Sequence, residues 1–210
     1  MDFFPLPALP ETLADPGPAY EKPPWLGPPG HLLGAHIPME RVLYRSEHLV
    51  LALQKVLAFP AGVRLSVRVE ARRAPDVKPE EFLRDHDLFY GTLQPGDEVP
   101  GRHPDKLLRF GVRFPDGRKA TTLDHRHRPL DEGVEPTPPV LHMTRRGGGG
   151  DQDHVALARR LWLWPLPPPE PFELGWEWPH FGVPLTFATL DGAAIAQAAD
   201  RAVPLWPEAR

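Results

Sequence analysis

Apolar and polar residues alternate without a break from residue 63 to residue 72. Val63, Leu65, Val67, Val69 and Ala71 fall on one side, and Arg64, Ser66, Arg68, Glu70 and Arg72 on the other. A period of two belongs to a strand with one buried face, because successive side chains leave a pleated backbone in opposite directions. Residues 41–46 and 48–59 have the same extended character, and Pro60-Ala61-Gly62 supplies a turn. The spacing predicts a hairpin between 49–59 and 63–72. Alternation returns at 107–114, with Leu108, Phe110, Val112 and Phe114 in phase. Pro115-Asp116-Gly117 then turns the chain back into 118–123. A short strand is expected at 140–144 and a flexible loop at Gly147 to Gly150. At 157–165, Leu161 and Leu163 interleave with Trp162 and Trp164, the pattern of a strand covered on both faces. Phe172, Leu174, Trp176 and Trp178 mark another half-buried strand, and 185–190 a last one.

Helical spacing is scarce. Pro79 suits the first turn of a short helix at 78–86. Asp191 is placed to cap a helix over 192–202, in which Ile195, Ala198, Ala199 and Ala202 share a side. Seven to nine strands separated by Pro/Gly turns predict an all-β fold, a mainly antiparallel two-sheet β-sandwich of jelly-roll-like character. Its parts would be a Pro-rich arm at 1–39, the sandwich at 40–190, and a C-terminal helix and tail at 191–210. The arm holds ten prolines, which bars regular structure. It also holds Phe3, Phe4, Leu6, Leu9, Leu13, Tyr20, Trp25, Leu26, Leu32 and Leu33, too much apolar surface for a solvated linker. Residues 3–33 are therefore expected to wrap in extended form over the sandwich or over a neighbouring subunit, anchored by Phe4 and Trp25.

Composition narrows the chemistry. Of 210 residues, 30 are proline and 18 glycine, which leaves few windows for long helices. With no cysteine there are no disulfides, no thiolate catalysis and no Cys-based metal site. Asparagine is absent, and neither Ser46 nor Ser66 sits in a Gly-x-Ser-x-Gly turn. Glycine-rich dinucleotide and P-loop signatures are missing as well. No apolar run approaches the length of a membrane span, and the first thirty residues do not read as a secretory signal. The expected compartment is the cytoplasm, and the expected partner another protein or a second copy, with no membrane.

Two constellations could carry chemistry. Asp124-His125-Arg126-His127 is followed by Glu132, and a His-x-His pair on a strand presents both imidazoles on one face. The set His125, His127 and Glu132 resembles the first metal motif of the cupins and would suit a transition metal. The bracketing glycines and a second motif are not found, although His142 or His180 could serve in space. The plain alternative is a solvated loop. The second constellation is basic: Arg64 and Arg68 share one polar face, Arg109 and Arg113 another. Were those strands neighbours, the four would hold an anion through forked hydrogen bonds. The net charge of −4 disfavours nucleic acid as the ligand. The tryptophans at 162, 164, 176 and 178 read as core rather than as a ligand platform.

The segments FGVRFPDGRKAT (110–121), LWLWPLPPP (161–169), WEWP (176–179) and LDGAAIAQAADRAVPLWP (190–207), with the Gly147–Gly150 run, resemble a group of uncharacterised actinobacterial proteins. The resemblance covers the C-terminal half and, more loosely, the N-terminal half. It implies a shared fold and source and carries over no catalytic residue. The sequence reading is a binding or protein-interaction module without intrinsic catalysis and without a cofactor. A cupin-like metalloenzyme, and an anion or nucleic-acid binder acting through the arginine-rich sheet face, are its alternatives.

Overall fold

The computed structural model describes residues 22–83, 107–124, 130 and 133–206. Twelve strands are found among them: β1 (Leu32–Leu33), β2 (Ala35–Ile37), β3 (Arg41–Arg45), β4 (Leu49–Phe59), β5 (Gly62–Arg72), β6 (Arg109–Arg113), β7 (Lys119–Thr121), β8 (Val140–Gly150), β9 (His154–Trp164), β10 (Phe172–Trp178), β11 (Val183–Leu190) and β12 (Val203–Pro204). One sheet runs β2-β4-β5-β9-β8, with β3 also paired to β4; the second runs β11-β10-β6-β7; β1 and β12 form a two-stranded ribbon. Every ladder is antiparallel. The protein is thus an all-β antiparallel sandwich, as its alternation implies.

Both sheets contribute to one core. Leu51, Leu65, Val67, Val69 and Leu161 of the larger sheet pack with Phe110, Val112, Leu174, Trp176 and Trp178 of the smaller. The predicted hairpin pairs Leu49 with Ala71 through Phe59 with Gly62, with a register shift between Leu53 and Lys55. The Pro115-Asp116-Gly117 turn joins β6 to β7. Gly117 sits at φ +87, where a side chain would be strained, and Arg118 N–H donates to the Asp116 carboxylate at 2.9 Å. Helix α1 (Gly192–Ala199) starts where Asp191 accepts from Ala194 N–H, and it buries Ile195, Ala198 and Ala199 against β2 and β4. It stops at Ala199, three residues short of the sequence expectation, with Asp200 as its C-cap.

Three expectations are corrected. The strands expected at 140–144 and 157–165 are longer: β8 and β9 each span 11 residues. The arm at 1–39 is not irregular to its end. Its longest proline-free stretch, 30–37, supplies β1 and β2, because it offers an unbroken run of backbone donors for ladders. Finally, Gly147 to Gly150 are not a loop but the end of β8, paired with Val155, Ala156 and Leu157. Local composition argued for flexibility, but the long partner strand β9 overrides it. A register shift between Arg146 and Gly148, with Gly147 at φ +33, absorbs the extra residue. A Cβ on Gly148 would collide with Leu157, and one on Gly150 would lie 2.6 Å from the His154 carbonyl oxygen. Of the short helix expected at 78–86, residues 78–83 are described, and 79–83 are helical.

Candidate functional site

The two arginine pairs are on different sheets. β5 has β4 and β9 as neighbours, and β6 has β10 and β7. With one core between the sheets, Arg64 and Arg68 face outward on one side and Arg109 and Arg113 on the other. The strands do not adjoin, so the four do not form one basic patch. Each residue also has neighbours of its own. Arg68 pairs with Glu70, whose other oxygen lies 2.6 Å from His154 Nε2. Arg109 Nη1 is 3.0 Å from Glu177, and Arg113 Nε is 2.5 Å from Glu173. The hydrogen bond and the charge of Glu173 raise the Arg113 pKa above its ordinary value. Phe187 lies against Arg113, with its ring centroid 4.9 Å from the guanidinium carbon. Arg64 and Arg109 are half-buried rather than exposed, Arg64 because it lies over the Phe59 ring at 5.5 Å. A surface hollow of about 320 Å³ beside Arg113 and Glu173, floored by Phe114 and Phe172, is at the small end of ligand-sized cavities.

His125, His127 and Glu132 lie outside the described residues. Asp124, their neighbour, closes a turn: its carboxylate accepts from the Thr121 N–H and hydroxyl, both at 2.7 Å. His142 is on β8, opposite Trp162, whereas His180 lies on the short 3-10 turn after β10, stacked edge-on against Phe181. Among the described residues no cluster of three or more His, Asp or Glu is arranged to hold a metal.

Among the described residues, two groups of apolar side chains stand outside the sandwich core, one buried and one exposed. On the outer face of the larger sheet, Phe59, Trp162, Trp164 and Val140 are buried together. Their cover is the stretch from Pro24 to Leu32. Trp25 meets Trp164 edge to face at 6.0 Å, Phe59 meets Trp162 at 5.8 Å, and Trp162 Nε1–H donates to the Pro24 carbonyl at 2.8 Å. This explains why β9 is apolar on both faces at its end. Phe4, the other anchor, lies outside the described residues.

The second cluster is open. In the ribbon, Leu33 pairs with Val203 and Leu32 with Pro204, and Leu205 N–H donates to the His31 carbonyl at 2.8 Å. Strand alternation therefore puts His31, Leu33, Val203 and Leu205 on one side, away from the cluster that receives Leu32. All four are exposed, with Leu33 at 60% and Leu205 at 50%, and Trp206 follows at 74%. Sequence reasoning missed this face. Val203 and Leu205 carry a period-two signal, but two residues are too short a run to register as a strand. It also missed Arg159, which falls in phase with Leu157 and Leu161, faces inward opposite Val67, and is the buried charged residue among those described. No helix among the described residues is long and apolar enough to cross a membrane. No known protein family, curated protein or solved structure matches this chain.

Proposed function

We propose that this protein is a non-catalytic protein-interaction module whose partner docks on the ribbon of β1 and β12. The observation that carries the reading is the exposure of Leu33, Val203 and Leu205 on one side of the ribbon, with the exposed Trp206 next in sequence. Water penalises such contiguous apolar surface, and a chain that buries six-stranded and four-stranded sheets elsewhere has the means to cover it; exposed patches of this kind mark binding surfaces. An aromatic anchor beside aliphatic residues is also the composition of binding hot spots. The pairing of Arg68, Arg109 and Arg113 with glutamates supports a protein partner over a polyanion, since much of their charge is already matched.

The test is affinity capture from the native host with tagged protein, comparing wild type with a Leu205→Glu/Trp206→Glu double variant. Both positions are exposed, so the variant folds. A partner retained by wild type and lost from the variant is the expected result. Equal capture by both proteins removes the ribbon as the docking surface.

A further inference from the structure

The sandwich has several open edges, and they are not alike. β7 is three residues long, carries Lys119 and lies beside β8. β8 contains Arg145 and Arg146 in sequence and bends at a bulge at Gly147. β2 is three residues long with α1 packed against it, and β3 begins and ends with arginine. Shortness, charge, bulges and covering helices are the devices that keep sheet edges from pairing with other chains. β11, Val-Pro-Leu-Thr-Phe-Ala-Thr-Leu, has eight residues and no charge. Its register with β10 is continuous from Leu190 to Thr186, and among the described residues no strand pairs with its other edge. The Arg41 guanidinium reaches the Thr189 carbonyl at 3.4 Å and closes one end; Pro184, which lacks an N–H, marks the other. Between them, Leu185 to Ala188 form an open strand edge.

The side chains on this edge are also apolar. Leu185 is 59% and Phe187 43% exposed, both on the outer face of the smaller sheet, where the Phe187 ring lies over Gly175. An unpaired strand edge is a template for another strand, and a second copy presents one of matching length and apolar pattern. In an antiparallel pairing centred on Thr186, Leu185 of one copy stands directly across from Phe187 of the other, twice, about a two-fold axis. Aliphatic–aromatic pairs of this kind are favourable across strands, and no like charges meet.

We propose that two copies of this protein associate edge to edge through β11, antiparallel about a two-fold axis at Thr186, joining their four-stranded sheets into one of eight strands. The open stretch is shorter than a standard interface of about 800 Å² per partner, so the dimer is reversible and concentration-dependent. This surface is separate from the ribbon of β1 and β12.

Sedimentation equilibrium over a range of concentrations tests it. The expected result is a mass that rises from 23.5 kDa toward twice that value, and a Leu185→Lys variant that stays at 23.5 kDa with an unchanged melting temperature. Because the chain has no cysteine, a Thr186→Cys variant reports directly on the axis: mild oxidation should give a covalent dimer, and a Val203→Cys variant should not. A mass fixed at 23.5 kDa up to about millimolar protein overturns the proposal. So does a dimer that survives Leu185→Lys and cross-links at position 203 instead of 186. That outcome would assign self-association to the ribbon and leave the proposed function standing.

Discussion

The segment from Pro24 to Leu33 serves two apolar clusters, and it treats them in opposite ways. Toward the sheet it places Trp25 and Leu32 over Phe59, Trp162 and Trp164, and the Trp162 indole N–H finds the Pro24 carbonyl. Toward solvent it displays Leu33 beside Val203 and Leu205. The residue types are similar in the two places, but their physical situation differs. The covered cluster has packing on both sides and a satisfied polar group, so it contributes to stability. The open cluster has packing on one side only, so removing its side chains sacrifices little in the isolated protein. Apolar composition alone therefore does not separate core from binding surface; the direction of one strand's alternation does.

The comparison breaks most visibly at Trp162. A Trp162→Ala variant loses the Phe59 contact, the Pro24 hydrogen bond and most of a buried indole, and urea denaturation should show a loss of about 3–5 kcal/mol. If the loss is below about 1 kcal/mol, the covered cluster is not structural. Next in size, Trp25→Ala should cost roughly 1–3 kcal/mol, because this ring is only partly buried and covers one face. Combined with Trp164→Ala in a double-mutant cycle, it should show a coupling of about 0.5–1.5 kcal/mol from the edge-to-face pair.

On the open side, Leu205→Glu and Trp206→Glu should each change stability by no more than about 0.5 kcal/mol, while abolishing partner capture. A loss comparable to that of Trp162→Ala would mean that the ribbon face is covered after all and would erase the contrast. The smallest effect lies away from both clusters, at the exposed turn of Asp116. The Arg118 backbone N–H, and then its guanidinium, lower the Asp116 pKa below its ordinary value near 3.9. A carboxyl with a depressed folded pKa stabilises the fold above its unfolded pKa, and that contribution disappears as pH falls through the folded value. A carboxyl-detected NMR titration should find Asp116 still ionised where ordinary aspartates are half protonated. An ordinary midpoint would show that the Arg118 contacts do not favour the Asp116 carboxylate in solution.

Much of the fold was legible along the chain. The rows Val63 to Ala71, Leu108 to Phe114 and Phe172 to Trp178 are buried on the expected face because each strand has one wet side, and a period of two records which. The Asp191 cap was legible because it is a local hydrogen bond, and the double-sided burial of β9 because tryptophan and leucine fill both of its rows. The candidate sites were less so. His125, His127 and Glu132 lie outside the described residues, and the four arginines looked like one patch only while strand order was unknown.

What the sequence determined by itself was the set of short-range quantities: which segments are extended, where turns fall, which row of each strand is apolar, and that the arm carries more apolar surface than a tether. The tertiary structure decided everything that depends on who lies next to whom. It put β5 and β6 in separate sheets, drew the Gly147–Gly150 run into β8 opposite β9, paired residues 32–33 with 203–204 across the length of the chain, and, among the described residues, left one edge of β11 open. Periodicity is a property of one strand and can be read from it. Neighbourhood is a property of at least two, and no local pattern encodes the partner.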